Sequence, residues 1–235
     1  MPMFSPKNVV VNWYKYDVAF SMELIRTYIT SVERQVSESI LSFQSQKDSF
    51  ILDDVPEDTD KESYCRVVDV HQGLDSQSWD LDGVFTEYFP NLQRKSALLT
   101  LTGYFEHELD KLCRLYQEEK SYSLSLSDLG GKGIDRAVNY LNKVAGLNVS
   151  KTSQEWNDVK KVQKVRNVIV HQDGKLTDAQ GNPIKEVINY ATKSVYLSGK
   201  ESILICDGFL FHVAALYESF FKLIESSINE KQSKA

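Results

Sequence analysis

The sequence predicts an all-α fold, a helical bundle with a long N-terminal helix and a small β-hairpin. Apolar residues recur at steps of three and four through most of the 235 positions. Glycine, proline and capping residues fall where the periodic stretches start and stop. With 42% hydrophobic and 26% charged residues, the chain can bury a core without disulfide or metal staples.

The first helix is read from Val18, Met22, Ile25, Ile29, Val32, Val36, Ile40 and Phe43, and should run from about Trp13 to about Gln46. Between Asp48 and Glu87 the only bases are Lys61 and Arg66. This acidic stretch reads as a solvated insert with an exposed turn at Asp53–Asp58, a short strand at Tyr64–Val70 and a short helix at Asp75–Phe89. Pro90 suits the first turn of a second long helix, whose core face is Leu98, Leu101, Phe105, Leu109, Leu112 and Tyr116.

Gly130-Gly131-Lys132-Gly133 lacks the spacing and hydroxyl of a phosphate loop and is read as a flexible lead-in to a third helix. That helix places Ile134, Val138, Leu141 and Val144 on one side and stops at Gly146. The fourth opens on a capping-box pattern, Thr152-Ser153-Gln154-Glu155, and buries Trp156, Val159, Val162, Val165 and Ile169 before Gly174 ends it. Asp178–Pro183 is a turn, and Ser194–Leu197 with Ile203–Cys206 make the hairpin. Asp207 should cap the last helix, with Leu210, Ala214, Tyr217, Phe221, Ile224 and Ile228 inside and a frayed tail at Glu230–Ala235.

Charge and cysteine usage narrow the function. Thirty-three acidic against 27 basic residues give a formal charge of −6, which argues against a surface that coats nucleic acid but permits a local basic site. The short Val9–Val11 run does not make a signal peptide, and no stretch approaches a membrane span, so a cytoplasmic location and no membrane partner are expected. Cys65, Cys113 and Cys206 form no CxxC pair and read as reduced thiols, with Cys113 on a core stripe.

One segment carries chemistry: Arg166-Asn167-Val168-Ile169-Val170-His171, at the end of the fourth helix. It resembles the HEPN superfamily, helical proteins marked by an Arg-x4–6-His motif, many of them ribonucleases of toxin–antitoxin, abortive-infection or antiviral systems. Arg66…His71 has the same bare spacing but lies in the acidic insert. Only the second copy has Asn after Arg, a capped amphipathic helix before it and a glycine after it. The likeness extends over roughly residues 90–226 and implies a single HEPN-like domain over 1–235, with 1–90 supplying the long helix and insert and 91–231 the core bundle.

The resemblance implies a metal-independent endoribonuclease without cofactor, acting as a homodimer whose paired motifs face each other. An antitoxin or other regulatory protein is a further expected partner. In that chemistry a ribose 2′-OH attacks the adjacent phosphorus. His171 titrates near neutrality and suits either proton transfer. Arg166 offers a permanently charged fork to the non-bridging oxygens. Asn167 would orient His171 or donate to phosphate, Glu106 would brace Arg166, and Lys160, Lys161 and Lys164 would seat an RNA backbone. HEPN toxins paired with nucleotidyltransferase antitoxins carry Tyr two residues after the His; here that position is Asp173.

The same residues admit a purely structural reading. His171 can simply complement the helix dipole, Arg166 and the lysines can be a solvated face, and Glu106 can be a surface residue beside the core. His212 reads as a core or interface histidine rather than a metal ligand. A non-catalytic helical module of the same ancestry, binding a partner protein or nucleotide, is the alternative function.

Overall fold

The computed structural model describes residues 12–54 and 64–234, and among them the chain is mostly helical. The long helices are α1 (Ala19–Gln46), α3 (Phe89–Lys120), α5 (Gln154–Gln172) and α7 (Phe209–Ser233). Shorter ones are α2 (Leu81–Gly83), α4 (Gly133–Lys143) and α6 (Lys185–Lys193). Two antiparallel sheets accompany them: β1 (Asp48–Asp54), β2 (Tyr64–His71) and β3 (Leu74–Asp75) in that order, and the pair β4 (Leu197–Ser198) and β5 (Leu204–Ile205).

By its internal contacts the chain groups into two compact units. One is Thr30–Arg94; the other joins the residues up to Ile29 to those from Lys95 onward. The acidic stretch has structure of its own, which is why it separates. β1 runs antiparallel to β2 from Asp48↔Val70 to Asp54↔Tyr64. A small cluster of Phe43, Leu81 and Phe85 gives this unit its own core. Phe43 stacks on Phe85 at 5.1 Å, and His71 meets both rings edge-on at 5.3 and 4.7 Å. His71 is buried, and its Nε2 has no hydrogen-bond partner among the described residues. In the same unit Arg94 grips Glu33 through Nε and Nη2, at 3.0 and 2.7 Å to Oε2.

The larger unit is cored on aromatics from α3 and α7. Phe105 stacks on Tyr217 at 4.0 Å and touches Phe221 at 5.0 Å. Trp156 of α5 reaches Phe220 at 5.8 Å, and Trp13 meets Phe221 edge-on. Each fully buried ring of this kind contributes about 2 kcal/mol through the surface it withdraws from water. The predicted stripe Leu98, Leu101, Phe105, Leu109, Leu112 and Tyr116 is wholly buried, and so is Cys113, whose thiol donates to Ala137 O at 3.6 Å.

Several expectations are corrected. The first helix begins with a π-helical turn at Tyr14–Val18 before α1. The short helix expected at Asp75–Phe89 is a continuous run through α2 and a second π-turn, Val84–Tyr88, into α3. Pro90 is the second residue of α3, in its first turn as expected, but the helical run enters from the π-turn before it rather than starting there; its missing N–H is compatible with that wider turn. Asp53 and Asp54 belong to β1, and 55–58 of the expected turn lie outside the described residues, as does Val9–Val11. Ser153, not Thr152, caps α5, and its Oγ accepts from Trp156 N at 3.1 Å. Val168 rather than Ile169 ends the buried stripe of that helix. Gly208, at φ 83°, precedes α7 in place of an Asp207 cap, and the tail stays helical to Ser233. Helix α6 and strand β1 lack an expectation in the sequence reading.

Gly146 does stop α4: Ala145 N returns to Tyr140 O in the six-residue closure typical of a helix end, and Gly146 at φ 64° turns the chain left-handed. Asp178 holds its turn by accepting from the amides of Gln180 and Asn182. The hairpin is present in shortened form. No helix among the described residues is long and apolar enough to cross a membrane.

Candidate active site

Helix α5 carries the motif, and its buried face of Trp156, Val159, Val162, Val165 and Val168 fixes which side chains point elsewhere. It packs against both α6 and α7. Its last turn closes on two left-handed residues, Asp173 at φ 53° and Gly174 at φ 82°. Their amides both return to Val168 O, so the carbonyls beneath His171 are partly satisfied.

Arg166 is half-buried and lines a crevice with Thr102, Phe105, Glu106, Gln163 and Tyr217. The crevice encloses about 10 Å³, the room of a single water at most, so these groups lie close together. Glu106 lines the same crevice as Arg166, with no hydrogen bond or ion pair within 4.0 Å joining the two among the described residues. Burial raises the Glu106 pKa above the ordinary value, the Arg166 charge pulls it back down, and Asp110 pushes the same way as burial. The glycine loop has a role here that its composition does not disclose. Gly133 opens α4 at φ 51°, and a Cβ on it would stand 3.0 Å from Glu106 Oε1 and 3.6 Å from Gln163 Nε2. Only glycine supplies both the backbone angle and the space.

Asn167 is exposed, and its Oδ1 accepts from Arg166 Nη1 at 3.1 Å. Its carbonyl thus engages the arginine rather than His171, leaving the amide N–H groups to donate outward. His171 is exposed in the last turn of α5 and does not line the Arg166 crevice. The two motif ends stand about 140° apart around the axis and ~7.5 Å along it. Within one chain they are not brought together.

The three lysines are already engaged. Lys160 binds Asp135 at 2.5 Å and Gln163 Oε1 at 2.6 Å, Lys161 binds Asp158 at 2.7 Å, and Lys164 pairs with Glu186. Any phosphate bound there competes with a carboxylate. Each pair has at least one side chain 41% or more exposed, so each is worth at most about 1 kcal/mol and is displaceable.

Lys95, Gln163 and Tyr217 are site residues that the sequence reading lacks. A Cβ on Gly174 would lie 2.6 Å from Lys95 Nζ, which sets that ammonium at the end of α5. Burial lowers the Lys95 pKa, and Asp173 opposes the shift. Nothing in the sequence links positions 95 and 174, because the contact exists only after α3 and α5 pack. Gln163 was legible, one turn before Asn167.

The other Arg-x4-His, Arg66…His71, falls on β2, where positions five apart face opposite sides of a strand. Arg66 is exposed and His71 is buried, so they share no surface. His212, expected in a core or interface, is exposed and stacks on Tyr196 at 5.2 Å. Among the described residues no three His, Cys, Asp or Glu side chains group as a metal site would need. None of the family models, curated proteins and solved structures compared with the chain matches it significantly.

Proposed function

We propose that the chain is an endoribonuclease of the HEPN type, cleaving RNA by 2′-OH attack without a metal ion and serving a prokaryotic defence or stress response in the cytoplasm. The observation that carries this reading is the half-buried Arg166, which donates to Asn167 in a crevice it shares with Glu106, one and a half turns before an exposed His171. An arginine fixed in this way presents its remaining N–H donors to a phosphate without first losing side-chain freedom. An exposed imidazole is open to a ribose hydroxyl or a leaving oxygen.

Because Arg166 and His171 diverge on one helix, the reading includes a homodimer in which each copy's pair completes a shared cleft. Tyr16, Phe20, Leu24 and Tyr28, spaced four apart on the first helix and 38–72% exposed, offer an apolar ridge for that pairing. The same ridge favours a second reading, a non-catalytic module that binds a partner such as an antitoxin or other regulator.

The test is cleavage of a mixed-sequence RNA by purified protein in excess chelator. Wild type should cut, and His171→Ala and Arg166→Ala should each lose at least about 100-fold. Equal cutting by all three would assign the activity to something else. Tight partner capture by a protein that leaves RNA intact would establish the second reading.

A further inference from the structure

Opposite the Arg166 crevice, across α5, lies a cavity of about 590 Å³. That volume falls within the range that holds a small organic ligand, roughly 300–1,000 Å³. Its walls come from α5, α6, the segment leading into β4, and α7, all within one compact unit. Three features define what it accepts. Tyr196 and His212 form a stacked pair inclined at 28°, and His212 is exposed. Asn189 and Ser194 add uncharged donors and acceptors at the wall. Lys161, Lys164 and Lys193 line it together with the carboxylates Asp158 and Glu186, three cations against two anions.

The cations differ in what they are already doing. Lys161 is tied to Asp158, and Lys164 to Glu186, whose side chain is 70% exposed. Lys193, in the last turn of α6, is exposed with no carboxylate within 4.0 Å among the described residues. An anionic group entering here meets one uncommitted ammonium and a second whose partner is loosely held. A flat ring beside an exposed aromatic stack, amide groups for its edge and an ammonium for an attached phosphate together describe a nucleotide unit. Unpaired bases of single-stranded RNA are read in this manner, by stacking and by hydrogen bonds to their edges.

The position relative to the motif decides between a separate ligand and the substrate itself. Lys164 and His171 are seven residues apart, so they project within about 20° of each other, ~10.5 Å apart along the helix. His171 therefore stands over the same side of α5 as the cavity, rather than over the Arg166 crevice. We propose that the cavity walled by Asn189, Lys193, Tyr196 and His212 is a base-reading pocket, which seats one unpaired nucleobase of an RNA strand whose neighbouring phosphate lies at His171. This rests on the ribonuclease reading above and adds to it the source of sequence preference.

The experiment uses the full chain carrying His171→Ala, which binds without cutting, and fluorescent five-nucleotide homopolymers of A, C, G and U measured by anisotropy. One homopolymer should bind at least tenfold tighter than the weakest. His212→Ala and Asn189→Ala, both at exposed positions, should reduce that spread to about twofold, while Lys193→Glu should weaken all four by a similar factor. Thermal melts identify any variant that has lost its fold, and the remaining substitutions carry the test. Equal binding of all four, or a preference that both pocket variants keep, overturns the pocket. In a second arm, cleavage positions on mixed RNA are mapped for the chain with His171 intact. Cutting at positions that His212→Ala and Asn189→Ala leave unchanged rejects the pocket and keeps the nuclease. A base preference that needs the pocket, in a protein that does not cut, keeps the pocket and rejects the nuclease.

Discussion

Lys95 Nζ lies against Gly174, at a spot where a Cβ would stand 2.6 Å away. The contact delivers a positive charge to the carbonyl end of the motif helix, where the helix dipole favours one. It also makes residue 174 answer to two constraints, its left-handed φ of 82° and the ammonium beside it. Gly174→Ala should cost about 1 kcal/mol from the backbone angle, which lowers the melting temperature by roughly 2–4 °C for a chain this size. Repeating the change with Lys95→Ala separates the two constraints. An equal cost in both backgrounds would show that the flexible lysine moves aside freely.

Glu106 is a carboxylate whose burial disfavours its charged form, opposed by Arg166. Its folded-state pKa lies above the ordinary value. The charged form therefore weighs against folding, and increasingly so as pH rises from the ordinary value through the raised one. Glu106→Gln should raise the melting temperature at neutral pH and, on the proposed ribonuclease reading, lower RNA cleavage, since Arg166 loses a neighbouring carboxylate. Stability and activity moving in the same direction would remove Glu106 from the site. Melting and initial-rate measurements on one preparation decide it.

The Glu33–Arg94 pair has side-chain exposures of 11% and 13%, so neither charge has much water to fall back on. Removing one partner strands the other. Arg94→Ala is expected to cost about 3 kcal/mol, read by urea denaturation. Replacing both together by Leu and Met should recover much of that loss. A double variant no better than the single one would show that the geometry of the pair matters beyond its charge.

His71 carries, between Phe43 and Phe85, a buried Nε2 without a partner among the described residues. An unmet polar atom of this kind costs about 1–3 kcal/mol. His71→Leu keeps the apolar contacts and removes the atom, and should stabilise the Thr30–Arg94 unit by about 1 kcal/mol. Hydrogen exchange of the β2 amides would localise the gain. Faster exchange there would mean that the imidazole is supported by more than its ring contacts.

Glu218 sits where burial raises its pKa, yet hydrogen bonds from Lys222, Arg26 and Tyr14 outweigh that and bring it to about 2. A depressed carboxylate contributes stability above its unfolded pKa and loses it as pH falls toward the folded one. Between about pH 4.5 and 2 the wild type should lose stability that Glu218→Gln never had. The two acid melting curves should converge at the bottom of that window. Parallel curves would show that Glu218 is not a source of acid sensitivity.

The sequence by itself determined the long helices and their inner faces, because burial on a helix repeats every three to four residues and leaves that period in the chain. Leu98 through Tyr116 and Trp156 through Val165 are legible for this reason. It also determined where α4 and α5 stop, since a left-handed closure calls for glycine, and it supplied Arg166, Asn167 and His171 as the residues to place. Local chemistry of the caps was less legible: Thr152 and Ser153 both suit the start of α5, and packing of Trp156 chose the second. The strand β1 was hidden because its residues fit a solvated acidic insert equally well until β2 paired with it. Only the tertiary structure decided that Gly133 makes room for Glu106, that Lys95 reaches Gly174, and that the three motif-helix lysines are bound to carboxylates. All but the Lys161–Asp158 pair, three residues apart on one helix, are contacts between segments 20 or more residues apart. Their meeting depends on how helices pack, and packing is a property of facing surfaces that no single stretch of sequence contains.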